Sequence, residues 1–268
     1  MSIERLKSFV KVHLPKPLLL WIEKWRYAKA IAKSCDAGCE IEMMMCLIEK
    51  GDTVVDAGAN MGLYTKWLAR AVGGSGRVVA VEPVPWTFSL LEYVVQKLGW
   101  KNVICIQCAV SDGDGSAVIS IPFDELGQLD YYRAGIALTN SGKRLPVTIH
   151  VETRTIDGLL SMWSASPTFI KCDVEGHECH VLRGALTTIK HSEPALLVEV
   201  WGRPDGDPYA TETFDLMSGL GYQAYVCSRG RMTLCDPGHR SPTDNYFFLK
   251  EKHLKILKAR GVTLSPDG

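Results

Sequence analysis

Short apolar runs alternate with amphipathic segments along most of the chain. From residue 53 onward, "TVVDAG" is followed by "MGLYTKWLARAV", and "RVVAVEP" is followed by "WTFSLLEYVVQKLG". Short valine-rich runs are typical of strands that are buried on both faces, whereas apolar residues spaced three and four apart are typical of helices. The repeated order of strand and helix predicts an α/β fold with a mostly parallel sheet and helices on both faces.

The alternation lapses in the middle of the chain and then resumes. "GSAVISIPF" and "RLPVTIHVETRTI" predict strands on either side of a long glycine-containing segment, and "PTFIKCDVEG" and "PALLVEVWG" restore the earlier pattern. Long segments over the carboxyl ends of a parallel sheet often contact the substrate, so residues 123–146 are a candidate for substrate recognition. A surface insertion without a function is equally compatible with this pattern.

The composition indicates an ordinary globular chain with one uneven segment. Its 268 residues are 46% hydrophobic, enough for one sizeable core, and 30 basic residues balance 30 acidic ones. This balance gives no electrostatic reason to expect a nucleic-acid partner. Residues 1–33, however, carry eight basic and two acidic residues, a net charge of +6. We predict a helical extension over 1–45, a main domain over 46–250 and a C-terminal helix or tail over 251–268.

The basic segment also predicts an amphipathic helix. Its apolar side chains fall along one stripe after Pro17, formed by Leu18, Trp21, Ile22, Trp25 and Ala28. Attachment to an anionic membrane surface, or to a lipid-linked glycan, is one interpretation. We prefer the interpretation that the stripe packs on the main domain, as a lid or as the contact of a homo-oligomer. The apolar run at residues 18–22 is too short to span a bilayer.

The cysteines predict a reduced, cytoplasmic setting. There are nine of them, an odd number, without a disulfide-like spacing, and no secretory signal is recognisable. Cys105 and Cys108 form a C-x-x-C within a strand pattern that would point the two thiols to opposite faces. Because no second pair matches them, we interpret them as core cysteines rather than as zinc ligands.

A glycine-rich turn follows the first predicted strand, at residues 56–62. Ligands of an open parallel sheet bind beyond the carboxyl ends of the strands, and this turn approaches them most closely. The dinucleotide fingerprint G-x-G-x-x-G lacks its middle glycine here, and Asp56 would repel a diphosphate. Asp56 would instead attract an ammonium group, such as that of S-adenosylmethionine, whose carboxylate can meet backbone N–H groups of the turn.

The next two strand ends carry chemistry that fits the same cofactor. Glu82 ends the second strand, where an acidic side chain commonly accepts hydrogen bonds from ribose hydroxyls. Ser111 and Asp112 follow the third strand and are candidates to meet the adenine amino group. The predicted cofactor-binding residues are Asp56, Gly58, Asn60, Gly62, Thr65, Glu82, Ser111 and Asp112.

Five segments together resemble a known family. "VVDAGANMGLYT", "VVAVEP", "CAVSDGDG", "TRTIDGLL" and above all "IKCDVEGHECHVLRGA" resemble, in order, the FkbM-type family of class I S-adenosylmethionine-dependent methyltransferases. The resemblance implies a Rossmann-like, seven-stranded sheet and an acceptor that is usually a hydroxyl of a sugar or natural product. Some relatives methylate an amide nitrogen in peptides.

The fourth strand end supplies candidates for catalysis. Methyl transfer is an in-line displacement, but a sugar hydroxyl must lose its proton as it attacks, so a general base or a metal is expected. Asp173 ends the strand, and Glu175 would share its face if the strand geometry continues. Such a pair of carboxylates could bind a divalent cation such as magnesium or raise one pKa to make a base. Favourable placement at a helix N-terminus is the alternative for Glu175 and Glu178.

Two further side chains complete the predicted acceptor site. His177 is a candidate base, although a histidine at a helix start is often structural. Glu199 ends the fifth strand on the same side as Asp173, and these two are the predicted metal ligands. Where family members frequently have a histidine, this chain has Trp201, which could stack on a flat acceptor or belong to the core. The predicted catalytic residues are Asp173, Glu175, His177 and Glu199.

These residues predict a methyltransferase that forms a methyl ether on a small-molecule or glycan acceptor. N-methylation of a peptide side-chain amide is the first alternative, and it would need no strong base. A cofactor-binding scaffold without catalysis is the second. Asp56 and the missing glycine disfavour a nicotinamide-dependent dehydrogenase.

Overall fold

Helices and strands alternate to form one large and one small sheet. The computed structural model describes residues 16–35, 38–125, 127–136, 145–163, 166–201, 208–235 and 244–265. The helices are α1 Lys16–Lys33, α2 Gly38–Leu47, α3 Leu63–Val72, α4 Pro85–Leu98, α5 Ile156–Ser161, α6 Glu178–Arg183, α7 Leu186–Ser192, α8 Pro208–Gly219 and α9 Glu251–Ala259. The strands are β1 Thr53–Ala57, β2 Arg77–Val81, β3 Val103–Ile106, β4 Ala109–Val110, β5 Gly115–Ile121, β6 Gly135–Ile136, β7 Val147–Arg154, β8 Phe169–Cys172, β9 Ala195–Glu199, β10 Gln223–Ser228, β11 Arg231–Leu234, β12 Asn245–Leu249 and β13 Thr263–Ser265.

The large sheet contains the predicted seven-stranded core. Its strand order is β13-β11-β10-β12-β9-β8-β1-β2-β3. The last five strands of this order, β9, β8, β1, β2 and β3, are parallel to one another. β12 pairs with β9 and β10 in antiparallel fashion. Seven adjacent strands of this order, β10, β12, β9, β8, β1, β2 and β3, confirm the predicted fold class. β11 and β13 extend the edge, so part of the segment predicted as a C-terminal helix or tail is a strand.

Helices cover both faces of this sheet because successive strand residues point in opposite directions. Val54 and Val78 belong to a core that includes Met44 of α2 and Leu68 of α3. Their neighbours in the strands, such as Val55, belong to a second core with residues of α5 to α8. The central strands are therefore buried on both sides, as their continuous apolar runs predict.

A small sheet lies beside the carboxyl ends of the large one. It has the order β4-β7-β5-β6, with β5 and β7 in an antiparallel pair. Its own core joins Ile119, Ile121 and Val151 to Val84, which caps the start of α4. The small sheet is thereby attached to the turn that follows β2, next to the predicted ligand site.

Two findings differ from the expectations for α1 and the cysteines. α1 packs along α4, but the stripe predicted to pack is largely exposed: Trp21 is 53% and Trp25 39% exposed, whereas Ala28 is buried. Cys39 and Cys227 form a disulfide between α2 and β10, with Cα atoms 6.0 Å apart. Because 188 residues separate them, spacing alone gave no sign of this pair. No helix in the described part of the chain is long and apolar enough to cross a membrane.

Candidate functional site

A cavity of about 290 Å³ opens at the carboxyl ends of β1, β2 and β8. The glycine turn forms one wall, the segment after β8 forms another, and Ile119 and Ile136 of the small sheet face them. Six of the predicted site residues line the cavity: Gly58, Asn60, Glu82, Asp173, Glu175 and His177. Six others are not among the lining residues: Asp56, Gly62, Thr65, Ser111, Asp112 and Glu199.

Gly58 brings the ends of β1 and β8 into direct contact. Its backbone is left-handed, with φ of 76°, and a Cβ atom there would lie 1.7 Å from the carbonyl oxygen of Asp173. The backbone N–H of Asp173 donates to the carbonyl of Ala57 at 3.1 Å. Only glycine allows this approach. The turn predicted to hold the cofactor therefore contacts the backbone of Asp173, the residue predicted to face the acceptor.

Glu82 organises the glycine turn from the end of β2. Its carboxylate accepts hydrogen bonds from the backbone N–H of Asn60 at 3.0 Å, from that of Val84 at 3.0 Å and from the Thr87 hydroxyl at 2.6 Å. Burial raises the pKa of Glu82, although these donors oppose the shift. The Oδ1 atom of Asn60 is buried without a hydrogen-bond partner, so a ligand with a donor group would satisfy it.

Asp56 does not face the cavity. It is 0% exposed, accepts a 2.6 Å hydrogen bond from the Thr65 hydroxyl, and has the ammonium group of Lys171 3.7 Å away. Burial raises its pKa, and the positive charge of Lys171 opposes that rise. The cation beside Asp56 is therefore a side chain of the protein, where the sequence suggested the ammonium group of the ligand.

Lys171 links the two halves of the site, although it is not among the residues predicted from the sequence. Its ammonium group lies 3.1 Å from Oδ2 of Asp173 and donates to the carbonyl of Gly58, also at 3.1 Å. Burial alone would lower the pKa of Lys171, but the charges of Asp173 and Asp56 outweigh it and raise the pKa. A lysine within a buried apolar strand was itself the signal, since lysine is rarely buried without a partner.

Three carboxylates converge beside the cavity. Asp173, Glu175 and Glu199 each offer an oxygen, and these oxygens lie within 4.8 Å of one another. Burial, reinforced by the charge of Asp173, raises the pKa of Glu175 to about 8 and that of Glu199 to about 8. Glu175 is also a non-glycine residue with a left-handed backbone, φ 59°. Such strained positions concentrate at functional sites.

Glu178 stabilises the loop that carries these carboxylates. It is 0% exposed, and its Oε1 accepts hydrogen bonds from the backbone N–H groups of Val174 and Gly176 at 3.0 and 3.1 Å. Its other oxygen accepts from the hydroxyl of Tyr209 at 2.8 Å. These contacts agree with the structural alternative for Glu178, as a residue that satisfies N–H groups at a helix start.

His177 is held in a network of its own at the cavity wall. Its Nε2 lies 2.9 Å from the hydroxyl of Ser111, and its ring stacks on that of His180 with centroids 4.3 Å apart. Burial, and then the charge of His180, lower the pKa of His177 to about 4. The imidazole is therefore neutral near pH 7 and a weak base. Asp112 is exposed and accepts a 3.3 Å hydrogen bond from Ser111.

Two aromatic residues fall where the sequence placed acceptor recognition. Tyr131, in the long segment before β7, lines the cavity together with Ala134 and Gly135. The indole of Trp201 donates a hydrogen bond to Glu199, which explains why this position touches the carboxylate cluster. Within 123–146, residues 126 and 137–144 lie outside the described part of the chain.

The residues that build this site also match a family model. Residues 56–224, from the end of β1 into β10, match the methyltransferase FkbM domain. The chain belongs to this family. The FkbM domain is a methyltransferase domain, and the resemblance to S-adenosylmethionine-dependent enzymes of this family is thereby confirmed.

Curated relatives match a smaller part of the chain. The protein-L-isoaspartate O-methyltransferase of Methanococcus maripaludis (strain C5) is 26% identical over 102 residues, 38% of this chain and 42% of that protein. The protein-L-isoaspartate O-methyltransferase 2 of Archaeoglobus fulgidus is 29% identical over 79 residues, 30% of this chain and 35% of that protein. The chain thus spans less than half the length of each of these two relatives.

Solved structures show similarity over a larger share of the chain. The methyltransferase FkbM from Methylobacillus flagellatus KT is 21% identical, with a TM-score of 0.48, over 74% of this chain and 43% of that chain. Fibrillarin from Aeropyrum pernix, solved with natively bound S-adenosyl-L-methionine, is 12% identical, with a TM-score of 0.44, over 75% of this chain and 67% of that chain.

Proposed function

We propose that this FkbM domain methylates a neutral hydroxyl of a small molecule or glycan. The observation that carries the proposal is the cluster of Asp173, Glu175 and Glu199 beside the cavity. S-adenosylmethionine supplies a methyl group on a positively charged sulfur when it is bound. A hydroxyl acceptor must also lose a proton, and the cluster offers carboxylates able to take it.

The glycine turn provides the residues that would hold the cofactor. The buried, unpartnered Oδ1 of Asn60 needs a donor, and an ammonium or hydroxyl group of the cofactor is one. Glu82 fixes the turn through its bond to the backbone of Asn60, and Gly58 keeps side-chain atoms out of the narrow space beside Asp173. The hydrogen bond from the Thr65 hydroxyl to the Asp56 carboxylate joins the two ends of the turn.

The acceptor side combines a fixed carboxylate with two weakly acidic ones. Lys171 holds Asp173 at 3.1 Å, which orients it to accept a hydrogen bond from the hydroxyl. Glu175 and Glu199 have pKa values of about 8, so each is a stronger base than an ordinary carboxylate. The proton of the hydroxyl passes to this cluster as the methyl group is transferred.

The charge of the cluster selects against anionic acceptors. The curated relatives are named for isoaspartate, a residue linked through its side-chain carboxyl that leaves its α-carboxylate free. A carboxylate brought beside Asp173 would be repelled and would lose solvation, and above about pH 8 the ionised Glu175 would add to the repulsion. We therefore place a neutral hydroxyl ahead of an isoaspartyl group as the acceptor.

A divalent cation between Asp173 and Glu199 is the alternative to a carboxylate base. Oxygen ligands of this kind suit magnesium. Lys171, however, already places a positive charge 3.1 Å from Asp173, which a cation there would have to displace or oppose. We propose that transfer is independent of metal.

Transfer of a labelled methyl group tests the proposal. The protein should methylate members of a panel of neutral glycosides and hydroxylated natural products, and should not methylate an isoaspartyl peptide. The rate should rise about tenfold between about pH 6.5 and 8.5 as the cluster loses its proton, and EDTA should change it by less than about twofold. The pKa values of Glu175 and Glu199 are raised to about 8, so the base form of each becomes the major form only above that pH.

Three other outcomes would contradict the proposal. Methylation of a peptide side-chain amide, with a rate independent of pH in this range, would favour N-methylation. Loss of activity in EDTA with recovery in magnesium would favour the metal. Cofactor binding without transfer to any member of the panel would favour a scaffold.

A further inference from the structure

α1 is fixed beside the cavity. Ile31, near its C-terminal end, lines the cavity, and Ala28 is buried where the helix packs along α4. The ammonium group of Lys66, on α3, donates to the carbonyls of Ile31 at 2.9 Å and Ser34 at 2.6 Å. These carbonyls belong to the end of the helix, which a cation stabilises. The orientation of α1 relative to the cavity is therefore defined by named contacts.

A face of α1 that adjoins buried Ala28 is apolar, aromatic and exposed. Leu18 is 41%, Trp21 53% and Trp25 39% exposed, and their spacing of three and four residues places them along one face. Lys29 and Lys33 continue along that side, and the Lys29 ammonium lies 4.8 Å from the centre of the Trp25 ring. We name this surface, formed by Leu18, Trp21, Trp25, Lys29 and Lys33, the tryptophan face.

The charge of the segment is complementary to an anionic surface. α1 carries five basic residues and one acidic residue, a net charge of +4, within the net +6 of residues 1–33. Tryptophan is favoured at membrane–water interfaces because its ring is apolar and its N–H is polar. Basic residues next to such rings are attracted by anionic headgroups. A second copy of the chain would instead bring two positive segments together.

We propose that the tryptophan face docks on an anionic lipid surface and holds the rim of the cavity beside it. Leu63 and Ile31 both line the cavity; Leu63 is 43% exposed, and Ile31 belongs to α1 itself. A polar acceptor carried by a membrane lipid would then lie next to the cavity. The docking depends on the surface of α1 and does not depend on which reaction the cavity performs.

Co-sedimentation with vesicles tests this proposal on the full chain. Phosphatidylcholine vesicles with about 30% phosphatidylglycerol should bind the protein at least about tenfold more strongly than phosphatidylcholine alone. The double variant Trp21→Ser and Trp25→Ser keeps the net charge and should lose about tenfold in binding. A matched control replaces Leu145 and Met162, which are 80% and 64% exposed elsewhere on the molecule, by serine and should bind as the unchanged protein does.

Several results would overturn the proposal. One is no binding to anionic vesicles. Another is equal binding by the tryptophan variant, which would assign the attraction to charge alone. A change of oligomeric state in the tryptophan variant, measured by sedimentation without lipid and with no change in vesicle binding, would assign the face to a second copy of the chain. Unchanged far-ultraviolet circular dichroism would show that the variants are folded.

Discussion

Asp173→Asn is expected to reduce methyl transfer by about a thousandfold while cofactor binding stays within about threefold. The asparagine keeps the size of the side chain but removes the negative charge that faces the acceptor and pairs with Lys171 at 3.1 Å. It also weakens the cluster that takes up the proton, because Asp173 contributes to the raised pKa values of Glu175 and Glu199. Single-turnover rates at saturating cofactor would measure the effect.

Asp215→Asn is the matched control for this change. Asp215 is exposed on α8 and does not line the cavity, so its replacement should leave the rate unchanged. An Asp173→Asn protein that retained more than about a tenth of the rate would remove Asp173 from the acceptor site. A parallel loss of cofactor affinity would instead place it on the cofactor side.

Lys171→Met is expected to lower the free energy of unfolding by about 3–5 kcal/mol at neutral pH, since it leaves buried carboxylates without their cation. Lys171 has a side chain only 5% exposed, and that of Asp56 is 0% exposed. Methionine approximates the volume of the lysine stem, so the loss reports charge rather than a cavity. Urea unfolding followed by circular dichroism would measure it.

A second replacement separates this electrostatic explanation from a packing defect. The double variant Lys171→Met and Asp56→Asn removes the buried charge as well and should regain about half of the lost stability. Lys190→Met, at an exposed position on α7, should be nearly neutral. A Lys171→Met protein as stable as the unchanged chain would show that Lys171 does not compensate Asp56 and Asp173.

The sequence predicted the parts of the fold that depend on local pattern. Valine-rich runs and intervening amphipathic segments indicated the parallel core of β1, β2, β3, β8 and β9. Strands buried on both faces leave a continuous apolar signal in the sequence. The carboxyl ends of these strands then placed Gly58, Glu82 and Asp173 together, since parallel strands end at one edge. Those three residues do line one cavity.

Contacts between distant segments could not be predicted in the same way. Cys39 and Cys227 are separated by 188 residues in the sequence. β13 joins the large sheet by pairing with β11, about 30 residues earlier in the chain. Lys171 was missed because strand periodicity reports burial but not which carboxylates surround a buried cation. For the same reason the sequence pairs Asp56 with the ammonium group of a ligand, whereas in the structure the ammonium group of Lys171 lies 3.7 Å from it.

Helical periodicity located the stripe on α1 but not the face that packs. Within the stripe Ala28 is buried, and α1 as a whole packs along α4. An amphipathic pattern favours burial of the larger apolar side chains, and Trp21 and Trp25 are exposed instead. An exposed aromatic face beside basic residues is the feature that the vesicle experiment addresses.

Isothermal titration with S-adenosylhomocysteine tests most directly whether the cavity is a cofactor site. The unchanged protein should bind with a Kd of about 1–100 µM. Asn60→Gly removes the unpartnered Oδ1 but tolerates the left-handed backbone, φ 49°, and should bind about tenfold more weakly. Absence of heat with the folded, unchanged protein would contradict the assignment of the glycine turn to this cofactor.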